Sequence, residues 1–270
     1  MINEAVSKES IIMLYKKTSV LYGLLCGLAF APIIFYRWLN IGILLGIALG
    51  AAIFFVGTFI CRKLAAGITE EICRTLFTEL EPEQTLRKLK SELSSKTAAE
   101  WSLFAAMMTA QTYQAMGRFK EAEQALIAFL NKSDAAKSKA EAMAMLVNLY
   151  TSANKPDSAL NAYERLENEI RGKTLTQGEK LSVETARNNA LFASGKYEEC
   201  WEYFKSESNP QKGNLRYIIM TFRLAQVYDA LGKTDDAQEQ YAVVAEKGKS
   251  LYVAQEAKHR CQIKTNQCSD

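Results

Sequence analysis

The chain has 270 residues, and its 33 Lys and Arg against 30 Asp and Glu leave a formal charge of +3. That surplus is uneven: residues 1–97 hold 11 basic and 8 acidic side chains, whereas 98–270 hold 22 of each. A C-terminal part without a cationic balance argues against a nucleic-acid partner, and one histidine with six cysteines in no Cys-x-x-Cys spacing argues against a zinc site.

After a short N-terminal segment, 1–18, two stretches carry no charge: SVLYGLLCGLAFAPIIFY at 19–36 and LNIGILLGIALGAAIFFVGTFI at 39–60. As helices they would be about 27 Å and about 33 Å long, against a hydrocarbon core of about 30 Å. With only Arg37 and Trp38 between them, they predict a transmembrane helical hairpin. Lys8, Lys16 and Lys17 precede the pair and Arg62, Lys63 and Arg74 follow it. The positive-inside rule then places both termini in the cytoplasm, as expected of a multi-pass protein of a bacterial inner membrane. Ala29-Phe30-Ala31 resembles a signal-peptide cleavage site, but Pro32 follows it and disfavours cleavage. Leu25 before Cys26 is too bulky for a lipoprotein signal.

Small residues recur every four positions in both stretches: Gly23, Gly27 and Ala31, then Gly42, Gly46 and Gly50. That step keeps each set on one helix face, where backbones can approach closely. The seams are expected to pack the hairpin against itself, and a homo-oligomer through the same seams is the sharper alternative. In the connector 61–97, Leu64, Ile68, Ile72, Leu76 and Leu80 follow a helical spacing, and Pro82 in Glu81-Pro82-Glu83 suits the first turn of a new helix.

From 98 onward one pattern returns four times: YQAMGRFKEAEQAL at 113–126, YTSANKPDSALNAY at 150–163, LFASGKYEECWEYF at 191–204 and YDALGKTDDAQEQY at 228–241. Tyr113, Tyr150, Leu191 and Tyr228 each stand four residues before a turn former (Gly117, Asn154, Gly195, Gly232), and a small residue (Ala122, Ala159, Cys200, Ala237) follows that turn by five. The turn formers are 37, 41 and 37 residues apart, a period that marks stacked supersecondary units. Each unit predicts two helices joined by a left-handed residue, with the small side chain letting them approach. LYVAQEAKHRC at 251–261 lies where a capping helix belongs.

These residues resemble the tetratricopeptide repeat over about 98–261, specifically in the second half of each unit. The Trp, Leu and Gly of that family's first helix are mostly absent. The resemblance implies an all-α fold in which an α-solenoid of four units and a cap occupies 98–270. It also implies a right-handed superhelix whose concave groove is lined by the first helices. The extra length falls in the polar connections 131–139, 171–180 and 206–214.

Signals for chemistry are weak. His259 sits among charged neighbours in the cap, and Cys26, Cys61, Cys73, Cys200, Cys261 and Cys268 read as unpaired thiols. Gly232-Lys233-Thr234 ends like a phosphate-binding loop, but Val227 stands where the first glycine is needed, so it reads as a helix-reversing turn. No cofactor is expected, and no enzyme activity.

Six residues before each turn stands a carboxamide: Gln111, Asn148, Asn189 and Gln226. In the resembled family this position lies on the inner face of the first helix, where amides can pair with the backbone of an extended peptide. Met107, Phe192 and Phe222, with Phe104 and Ile219, fall on or near that face. The expected function is a membrane-anchored scaffold or adaptor that binds a partner protein or peptide at the cytoplasmic surface. A subunit of a membrane transport complex and an enzyme with an unrecognised site are the alternatives.

Overall fold

The structure, a computed structural model, describes residues 40–92, 103–131, 139–212 and 214–267. Among them every regular element is helical, in agreement with the all-α reading. The chain forms two compact units, Met1–Glu71 and Ile72–Asp270.

The first unit is described from residue 40, where helix α1 begins; α1 runs Asn40–Cys73. Here the sequence expectation is corrected. Among the described residues no helix is long and apolar enough to cross a membrane, so the transmembrane hairpin and the multi-pass membrane location do not stand. The segment 19–36, with Gly23, Gly27 and Ala31, lies outside the described residues. The second segment is no separate element of membrane length. It is the first part of a helix that continues through Arg62, Lys63, Glu70 and Glu71, whose charges favour water. Gly42 and Gly46 lie on α1, and at Gly50 an added Cβ would meet nothing within 4 Å among the described residues.

The second unit begins with the π-helical turn Arg74–Thr78, which buries Leu76 completely, with Ile72 and Leu80 on either side also in the core. Leu80 takes a left-handed φ of 59°, which reverses the chain and sets Pro82 at the start of α2 (Pro82–Glu92), as its fixed φ and missing N–H allow. Four helix pairs follow: α3 (Leu103–Ala115) with α4 (Phe119–Leu130), α5 (Lys139–Ser152) with α6 (Pro156–Ile170), α7 (Gln177–Ala193) with α8 (Tyr197–Glu207), and α9 (Asn214–Ala230) with α10 (Thr234–Lys247). Helix α11 (Tyr252–Gln267) packs on α10 as the cap.

The four turns are built alike. Gly117, Asn154, Gly195 and Gly232 have φ of 73°, 54°, 77° and 71°. The next residue, always Arg or Lys, donates its backbone N–H to the carbonyl of the repeated aromatic or Leu: Arg118 to Tyr113 at 2.8 Å, Lys155 to Tyr150 at 2.9 Å, Lys196 to Leu191 at 3.0 Å and Lys233 to Tyr228 at 2.9 Å. The turn residue itself bonds one carbonyl further on, which completes a Schellman motif in each case. The basic side chain also lies over the ring where there is one, at 4.7 Å for Arg118 on Tyr113 and 5.9 Å for Lys155 on Tyr150. None of the second helices has a side-chain N-cap, but each carries an acidic residue in its first turn, which the helix dipole favours.

The small residues behave as their spacing requires. Ala122, Ala159, Cys200 and Ala237 are each wholly buried, since a larger side chain would push the paired helices apart. The first helices also pack on one another, α3 on α5 and α5 on α7.

The last unit returns to the beginning of the array. Helix α11 touches α3, and α9 touches the π-helical turn. Tyr252 packs edge-on against Phe119 with centroids 5.3 Å apart, and its ring fills the space beside Gly117. Lys249 Nζ donates to the Glu79 carbonyl at 2.7 Å, Ser250 Oγ to that of Leu80 at 3.0 Å and Asn214 Nδ2 to that of Thr78 at 2.8 Å. These bonds satisfy carbonyls that a left-handed turn leaves without helical partners.

Candidate binding face

The predicted amides all lie on first helices, and the fold brings three of them into one polar cluster. Asn189 donates from Nδ2 to Asn148 Oδ1 at 3.0 Å and to its own helix at Thr185 O, also 3.0 Å. It is buried, whereas Asn148, Gln111 and Gln226 are half-buried. Gln226 Oε1 accepts from Arg223 at 2.7 Å. Asn148 and Asn189 thus hold each other, and Gln226 holds Arg223.

Ser152 links the cluster. Its Oγ donates to Asn148 O at 2.9 Å, accepts from Gln114 Nε2 at 2.9 Å and lies 3.5 Å from a terminal nitrogen of Arg223. Helices α3, α5 and α9 therefore meet at one hydroxyl, and α7 joins through Asn189 and Phe192. The guanidinium of Arg223 stacks on Phe192, 4.4 Å from the ring centroid. Burial pushes the Arg223 pKa down to about 10, so the group stays charged at neutral pH.

The apolar members divide. Phe222 is core, buried between α9 and α10 with its ring 5.7 Å from Tyr241. Met107, Phe104 and Ile219 are half-buried on first helices, and Phe192 is half-buried beneath Arg223. Three participants escaped the sequence reading: Gln114, Ser152 and Arg223. Each stands three or four residues from a predicted amide, so helical spacing alone puts them on the same face.

Comparison with known proteins gives no match. No family model, curated protein or solved structure is similar enough to the chain to be matched.

Elsewhere the chemistry is sparse. Among the described residues no group of three or more His, Cys, Asp and Glu could hold a metal ion. His259 is exposed on α11. Cys73 and Cys200 are free thiols, and burial pushes the Cys200 thiol up to about 11, which keeps it protonated and unreactive at neutral pH. Gly232 ends a helix with a left-handed φ of 71°, so Gly232-Lys233-Thr234 is a chain reversal.

Proposed function

We propose that Ile72–Asp270 is a protein-binding module of the tetratricopeptide-repeat kind, which serves as a scaffold or adaptor and not as an enzyme. The observation that carries this reading is the fourfold recurrence of one turn, with a left-handed residue, a bond to the repeated aromatic position and a wholly buried small residue. Such arrays expose side chains of successive first helices along one face, and that surface suits a protein segment better than a small reactant. The half-buried Phe104, Met107 and Gln111 of α3 and Ile219 of α9 supply the mixture of apolar and amide groups that such a segment would use.

The test is site-specific photocrosslinking in cells of the source organism, with a photoreactive side chain at Gln111 or Ile219 and, as control, at the exposed Glu202 of α8. Adducts with one discrete protein from the first two positions and none from the third are expected. Adducts confined to Glu202 would place the binding surface on the second helices and remove the proposal.

A further inference from the structure

Helix α11 holds its two neighbours in unequal ways. Toward its own unit, Ala254 is wholly buried beside Gly248. Arg260 donates to Tyr241 Oη at 3.3 Å and pairs with Asp229 at 3.5 Å. Toward the first unit it reaches with the half-buried ring of Tyr252, edge-on to Phe119 and against Gly117. Gly117 is the turn that ends α3, so this ring closes the first unit onto the last.

The turn that carries the ring is held by groups open to water. Lys249 Nζ and Ser250 Oγ bond the carbonyls of Glu79 and Leu80, but both residues are exposed, so water competes for the same carbonyls. Lys249 also takes a left-handed φ of 49°, a conformation that disfavours any residue with a Cβ. Deeper in the array, the bond from Arg223 of α9 to Ser152 of α5 is long, at 3.5 Å. Swinging one half-buried ring away from Phe119 therefore uncovers little apolar surface, and Ala254 and Arg260 can keep α11 on its own unit meanwhile. Such a seam belongs to the low end of local stability within a fold.

We infer that Tyr252 is a latch: its ring on Phe119 and Gly117 keeps the first unit closed against the cap, and its release parts α3 from α11. Phe104, Met107 and Gln111 of α3 are half-buried in the closed form, and release opens them further. The closed form is then the less receptive one, and a partner's apparent affinity falls with the fraction of molecules in which the ring is released. This use of the latch rests on the partner-binding reading; the latch itself is measurable without a partner.

Amide hydrogen exchange of the full chain under native conditions tests it. In Tyr252→Ala the amides of α3 should exchange about tenfold faster or more, while those of α6, away from the seam, keep their rates. Gly117→Ala, whose Cβ would come 2.5 Å from the Tyr252 ring, should speed α3 in the same way. Gly195→Ala, with a similar left-handed φ but nothing within 4 Å, should not, and Tyr252→Phe, which keeps the ring, should match the unaltered chain. If the Ala variants at 252 and 117 fail to fold, exchange of the unaltered chain in low denaturant carries the test: α3 opening before α6 supports the latch, and one opening shared by both overturns it. Unchanged α3 exchange in Tyr252→Ala, or equal acceleration throughout the repeats, also overturns it. Faster α3 exchange together with no crosslinked adduct at Gln111 would leave the latch standing and remove the partner.

Discussion

Helix α1 and the repeat array use similar apolar residues to opposite ends. On α1, Leu49, Phe54, Phe55, Val56, Phe59 and Ile60 are all exposed, Phe55 to 71%. In the array the repeated Ala122, Ala159, Cys200 and Ala237 are wholly buried, although each is smaller than any of those. Hydrophobicity alone therefore does not locate a core. What buries a residue in the array is its offset from a left-handed turn, because that offset puts it where two helices cross. Helix α1 has no such punctuation between Asn40 and Ile60, whereas near its end Thr69 and Ile72 are buried.

The first way to break this comparison is to remove the cap. Leu251, Ala254 and Ala257 are buried to 1%, 0% and 0%, and Tyr252 closes over the first turn. Deletion of 250–270 exposes that surface and also frees the carbonyl of Leu80, which Ser250 holds. Loss of cooperative melting, or aggregation, is the expected result by circular dichroism. A melting curve like that of the intact chain would show the cap to be dispensable.

A second experiment separates backbone strain from packing at the turns. Gly117 and Gly195 have nearly the same φ, 73° and 77°. A Cβ on Gly117 would meet Tyr252 Cδ2 at 2.5 Å, whereas one on Gly195 would meet nothing within 4 Å. Gly195→Ala should cost about 1–2 kcal/mol, the penalty of a left-handed alanine, and Gly117→Ala should exceed it by about 1 kcal/mol or more because the ring must move. Equal losses in denaturant titrations would mean that Tyr252 does not hold its place.

The turns, the small residues, the Pro82 helix start and the cap were legible because each is local: four or five neighbouring residues define it. The pairing of the amides was not. Asn148 and Asn189 are 41 positions apart, and no periodicity tells whether two first helices come near enough for their side chains to bond. The return of Lys249 and Ser250 to Glu79 and Leu80, 170 positions away in each case, was hidden for the same reason. Arg223 was passed over because a single Arg in a helix usually reads as solvated, and only the fold reveals its burial. On α1 both the uncharged run and the helical spacing after it were visible, but not that they form one unbroken helix.

The amide pair gives a third prediction, and it reverses what an open ladder would imply. Asn189→Ala removes the donor to Asn148 and leaves a small void in a buried polar cluster, for an expected loss of about 1–3 kcal/mol. Gln111→Ala, at the same repeat position but half-buried, should change stability by about 0.5 kcal/mol or less. Similar small effects from both would return the amides to the status of surface groups.

A fourth prediction concerns pH. Burial, reinforced by Glu179, holds the Glu141 carboxyl above its ordinary range. An acid raised in the folded state adds stability below its unfolded pKa and loses that contribution as pH rises through the folded value. Glu141→Gln should therefore be the more stable protein at neutral pH, with the advantage shrinking on acidification through the carboxylate range. A difference independent of pH would show that the effect is one of packing.

The smallest effect is expected on α1, and there a null result carries the information. If exposure is the right description of Phe55 and Phe59, at 71% and 60%, replacing both by Ser removes little that is buried and leaves no polar group without water. Exposed substitutions usually stay within about 0.5 kcal/mol, about 1–2 °C for a chain of this size. Lys63, which lies 5.9 Å from the Phe59 ring centroid, loses only a solvent-screened contact. The melting temperature of the array should then hold while Ala122→Leu, a single enlargement at a wholly buried position, lowers it by several degrees. A drop from the double Ser variant as large as that from Ala122→Leu would mean that α1 has a core of its own, and the contrast between the two regions would disappear.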